Sequence, residues 1–105
     1  MSENQRDIHI NVWINEERLG LLKRAGLVEM AKQKFADMMV LEVSATEEQK
    51  DRILQRYPSA QYDSSTTHTI ELLPKGAKDR LFDLCVHMRS TGPEVIDRFL
   101  TDGQA

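Results

Sequence analysis

Few residues of this chain are equipped for covalent chemistry: one cysteine, Cys85, and three histidines, His9, His68 and His87. A nucleophilic thiol needs an imidazole base on the same surface, yet Cys85 and His87 stand two residues apart and would project from different faces of a helix. Structural zinc is held by ligands at characteristic short spacings, and the histidines show no such spacing with the lone cysteine. No catalysis, metal or cofactor is expected. Cys85 lies in the apolar run LFDLCVHM, where a small buried thiol is the ordinary role.

Charge is then the main functional signal. Of the 105 residues 30% are charged and 40% hydrophobic, the composition of a soluble globular domain with one core. The net charge of −3 is spread with both signs interspersed, so no basic stripe points to nucleic acid. No apolar run approaches the roughly 20 residues that cross a bilayer, and no basic-then-apolar start marks a signal peptide. The expectation is a cytoplasmic or nuclear protein, cytoplasmic by preference, without an internal disulfide.

The elements that would position these charges read as helices. Residues 1–7 are polar and uncapped, an expected frayed terminus. In IHINVWI, Ile8, Ile10, Val12 and Ile14 alternate with His9, Asn11 and Trp13, a strand signal that finds no partner strand elsewhere; Ile10, Trp13 and Ile14 also fit a helical face. An extension of the first helix is preferred to an extended arm, with Trp13 packing back onto the domain. Asn15 caps a first helix with Glu16 and Glu17 in its first turn and Leu21, Leu22, Ala25 and Val28 on one face. Phe35, Met38, Met39 and Leu41 mark a short second helix, and the methionines are expected as core fillers.

Thr46-Glu-Glu-Gln49 is a capping box that opens a third helix with Ile53, Leu54 and Tyr57 inward, stopped by Pro58. After the loose stretch SAQYDSSTTHT, Asp63 or Ser64 can cap a fourth helix holding Ile70, Leu72 and Leu73. Lys78 to Arg89 is the strongest helix. Gly92 is read as its left-handed stop, Pro93 as the first residue of a sixth helix with Val95, Ile96, Phe99 and Leu100 inward, and Thr91-x-x-Glu94 as a second capping box. The helical domain is expected over residues 14–101, with an N-terminal arm or helix extension at 1–13 and a tail at 102–105.

Three stretches in order, LLKRAGLVEM, the Ala45-Thr46-Glu47-Glu48 opening of the third helix, and ELLPKGAKDRLFDLCVHMRSTGPEVIDRFL, resemble the caspase recruitment domain (CARD) of the death-fold superfamily. That resemblance implies an all-α fold, a six-helix antiparallel Greek-key bundle, and a non-enzymatic homotypic adaptor in apoptotic or inflammatory signalling. Its implied partner is another CARD or death-fold protein, whether caspase, adaptor or nucleotide-binding sensor, with homo-oligomers formed by head-to-tail assembly.

The resemblance also implies a contact between a basic and an acidic patch. Arg24 falls at a matching basic position with Arg18 and Lys23 nearby, and Asp37, Glu42, Glu47, Glu48 and Asp51 supply the acidic side. Lys75, Arg80 and Arg89 form a second candidate interface around the fifth helix. The sequence departs from the family in SSTTHTIELL, which lacks the usual arginines, and in Lys32, Lys34, Lys50 and Arg52 among the acids. The alternatives are a small interaction or regulatory protein outside the death fold, including a helix-turn-helix regulator, or a decoy built from this domain alone.

Overall fold

Ile8, Ile10 and Val12 are buried while His9, Asn11 and Trp13 between them are not, as in a strand with one covered face. The computed structural model describes residues 8–34, 38–63, 68–71 and 75–102. In chain order these form β1 (Ile8–Ile14), α1 (Glu16–Ala25), a 3₁₀ turn (Val28–Met30), β2 (Ala31–Lys34), β3 (Met38–Ala45), α2 (Glu47–Arg56), β4 (Gln61–Asp63), β5 (Thr69–Glu71), α3 (Lys75–Met88) and α4 (Pro93–Asp102).

The strands make one five-stranded sheet in the order β2-β3-β1-β5-β4. β1 is central: it runs antiparallel to β3 from Ile8↔Ala45 to Ile14↔Met39, and parallel to β5 at His9↔Thr69 and Ile10↔Ile70. β2 joins the outer side of β3, and β4 the outer side of β5, both antiparallel. The first six elements thus follow a β-α-β-β-α-β course, with β5 inserted between β1 and β4.

All four helices cover the same side. Leu22 of α1, Ile53 of α2, Leu81, Phe82 and Cys85 of α3, and Val95, Ile96, Phe99 and Leu100 of α4 share one buried cluster with Ile8, Ile10, Val12, Leu41, Val43, Ala45 and Ile70 of the sheet. Val40 is equally buried but stands outside that cluster, because β3 turns it to the opposite side.

The caps explain the helix limits. Asn15 Oδ1 accepts from the Arg18 amide, 2.8 Å, and opens α1; Gly26 at φ 77° closes it, with the amides of Gly26 and Leu27 donating to the carbonyls of Lys23 and Leu22. Thr46 and Gln49 form both arms of the capping box of α2. Gln49 is buried and also donates to the Pro93 carbonyl and the Asp97 carboxylate, which ties α2 to α4.

The sheet overturns the all-α reading, and with it the six-helix Greek-key bundle and the CARD resemblance. The strand signal of IHINVWI does have a partner: MMVLEVSA, read as a helix from Met38, Met39 and Leu41, is β3, whose β-branched Val40 and Val43 suit a pleated surface. The expected fourth helix is replaced by β4 and β5, three residues each. Gly92 is not the left-handed stop of α3. Arg89 takes that conformation, φ 53°, with its amide donating to Val86 and that of Ser90 to Cys85. The expected Thr91–Glu94 box is replaced by the Ser90 hydroxyl, which donates to Glu94 and accepts from the Gly92 amide.

Candidate functional site

Strand register decides which side chains share the sheet's second face, over which no described helix or strand lies. Trp13 stands opposite Val40, Asn11 opposite Glu42, and His9 opposite Ser44, with Lys32 beside Val40 on the outer strand and Thr69 beside His9 on the inner one. Met38 is on the same face, two residues from Val40. The face therefore has an apolar end at Trp13, Val40 and Met38, and a polar end at His9, Glu42, Ser44 and Thr69. The large hydrophobics exposed among the described residues are Trp13 (39%), Met30 (46%) and Met38 (49%). Trp13 and Met38 belong to this face by register, and Met30 is one residue before β2, beside the polar end.

Beyond the start of β2 the outer side of β3 would be open. There the loop between α3 and α4 closes in: the Thr91 carbonyl accepts from the Ser44 amide, 2.8 Å, and the Thr91 hydroxyl donates to Met30 Sδ. Between this loop, the 3₁₀ turn, the sheet face and the first turn of α2 runs an open groove of about 860 Å³. Its polar lining includes Glu29, Glu42, Glu47, Glu48, Lys32 and His9.

Glu42 is the fixed point of this groove. Its Oε1 lies 3.1 Å from Lys32 Nζ and its Oε2 lies 3.5 Å from His9 Nε2. His9 Nε2 is also 3.3 Å from Thr69 Oγ1. A nucleophile–base–orienter chain needs its partners on opposite ring nitrogens. Here the carboxylate and the hydroxyl share one nitrogen, so the cluster is not arranged as a proton relay. Asn11 Oδ1, on the same face, is a buried acceptor without a hydrogen-bond partner.

Two helix N-termini border the groove, those of α2 and α4, each worth about half a positive charge. Their first turns already carry Glu47, Glu48 and Glu94, and four glutamates against one lysine line the groove. Even two full dipoles, about one unit together, leave it negative. It is not a phosphate cradle. The Glu94 carboxyl is held below its usual range by the Ser90 hydroxyl, then by backbone bonding at the helix start.

The structure gathers some of the charge candidates and separates others. Glu42, Glu47 and Glu48 meet at the groove. Asp51 stands farther along α2, exposed and paired with Lys50, whose ammonium it helps to hold above its ordinary value. Arg18 of α1 reaches across to Asp79 of α3 and lies over the Phe82 ring, while Lys23 and Arg24 are exposed on α1, apart from the groove lining. Arg80 donates to the Tyr57 hydroxyl, 2.7 Å, and covers the Phe99 ring, holding α3 to α2 and α4. Arg89 is exposed at the end of α3. Lys75 begins α3, and Asp37 lies outside the described residues.

Sequence reasoning did not count His9, Lys32, Met30 or Ser44 among the contact residues, because they come together only through register. The alternation of β1 was the available signal for His9. Trp13, Met30 and Met38, expected inside, are exposed. Cys85 is buried, and burial pushes its thiol up to about 12, so it stays protonated and unreactive. Among the described residues no three His, Cys, Asp or Glu side chains converge on a metal position, and no helix is long and apolar enough to cross a membrane.

Residues 8–100 match DUF6955, a family of unknown function, and the chain belongs to it. No curated protein and no solved structure gives a match. The family match and the sheet together remove the ground for a death-fold adaptor in apoptosis or inflammation.

Proposed function

We propose that this member of the family is a non-enzymatic protein-interaction domain outside the death fold, binding a partner protein across the sheet face over which no described helix or strand lies. One observation carries the reading: Trp13, Met30 and Met38, the large hydrophobics exposed among the described residues, gather on that face and its groove edge rather than scatter. Single exposed apolar residues are ordinary, but a group of them rimmed by polar side chains marks an interaction surface. Tryptophan and methionine are also over-represented at such surfaces.

The groove volume alone also suits a small polar ligand. That reading leaves Trp13 and Met38 unexplained, since neither lines the groove. Glu42, Glu47 and Glu48 become contact residues of the proposed interface. The proposal includes a cytoplasmic location, where an unpaired cysteine such as Cys85 is the ordinary state.

The test is photo-crosslinking in native cells from a benzoylphenylalanine placed at position 13, with exposed Asp83 on α3 as the control site. A discrete adduct from position 13 but not from position 83 supports the interface. Equal labelling from both positions rejects it.

A further inference from the structure

Resting on that reading, the charge around the uncovered face identifies its partner by chemistry. We infer that the partner presents an apolar anchor flanked by lysine or arginine: the anchor covers Trp13 and Met38 while the cations enter the groove toward Glu42, Glu47, Glu48 and Glu29.

The groove carries four glutamates and one lysine, and removing those five from the chain's 17 acidic and 14 basic residues leaves equal numbers of each sign. The groove lining is thus net negative. Lys32 is already engaged with Glu42, and Glu29 and Glu48 have no ion-pair partner among the described residues. Complementary charge at such a rim speeds encounter and rejects partners of the wrong sign.

Hydrogen-bonding capacity points the same way. Carboxylates accept and do not donate. A partner bringing ammonium or guanidinium groups supplies what the surface lacks. A second copy of this chain brings the same net-negative groove, and so the same excess of acceptors. The occupant is therefore a basic, apolar segment of a different protein.

Two synthetic peptides with the same Leu-Trp-Leu anchor test this, one flanked by lysines and the other by glutamates, titrated into the full chain by NMR. The lysine peptide is expected to shift the Trp13 indole, the Met30 and Met38 methyls and the first-turn amides of α2. It should bind at least about tenfold tighter than the glutamate peptide and weaken as salt rises from about 0.05 to about 0.5 M. Glu47→Lys with Glu48→Lys should reverse the preference. If that pair unfolds the chain, Glu47→Gln with Glu48→Gln should still narrow the difference between the peptides.

Equal binding of the two peptides at the Trp13 face overturns the cation assignment while leaving the interaction reading standing. Shifts confined to the outer surfaces of α1–α4 defeat the interaction reading itself. Failure of both peptides to bind, or a dimer in sedimentation that Trp13→Glu dissolves, also overturns the inference, the dimer in favour of a second copy.

Discussion

The two faces of β1 are built from one seven-residue strand and differ in everything that follows from burial. On the covered face Ile8, Ile10 and Val12 meet all four helices in one cluster. On the other, His9, Asn11 and Trp13 meet Ser44, Glu42 and Val40 across the sheet, with no described helix above them. Each fully buried aliphatic side chain on the first face stabilises the fold by about 1.5–3 kcal/mol. On the second face Val40 is equally buried, but Trp13 and Met38 keep part of their surface in water and contribute less. The face that holds the fold together has no room for a partner.

The sharpest way to break this comparison is to truncate one large aromatic on each face. Phe99→Ala removes a fully buried ring and should cost about 3–5 kcal/mol in a urea melt, whereas Trp13→Ala, with 39% of its surface already in water, should cost clearly less. Similar losses would show that the second face is a core as well.

The next effects concern the helices that do the covering. Gly26 sits at φ 77° with nothing within 4 Å of the position an added Cβ would take, so Gly26→Ala should cost about 1–2 kcal/mol from backbone conformation alone. Arg89 closes α3 in the same conformation with the wrong residue type, and Arg89→Gly should stabilise by up to about 1 kcal/mol. Opposite signs in thermal melts would confirm that α1 and α3 end alike. Thr46→Ala, which breaks one arm of the α2 capping box, should cost about 1 kcal/mol.

The smallest effect lies at the groove rim. Because the folded state lowers the Glu94 pKa, its contribution is present above the unfolded value and is lost as pH falls through the folded one. Ser90→Ala should move the Glu94 titration upward by NMR, with little change in stability at neutral pH.

These ends and caps were the legible part of the sequence. Asn15, the Thr46–Gln49 box and Pro93 act within a few residues of themselves, so local chemistry places α1, α2 and α4. The sheet was hidden because its evidence is non-local. β1 announces itself by alternation, but the partner that makes it a strand, β3, lies about thirty residues away and carries Met38, Met39 and Leu41 at spacings that also fit a helix. β4 and β5 have three residues each, too few for alternation to show. The groove was legible only as separate charges: Glu47 and Glu48 stood out, but their nearness to His9 and Lys32 depends on the register of three strands.

The central position of β1 also orders events during synthesis. The strand is made before both its neighbours, β3 and β5, which follow by tens of residues, and α4, which supplies four buried side chains to its cover, comes later still. Until those arrive on a ribosome adding about 5–20 residues per second, Ile8, Ile10 and Val12 form a β-prone apolar segment with unpaired amides and carbonyls. Slowing translation between β3 and α4 lengthens that interval, and the yield of native protein should fall accordingly.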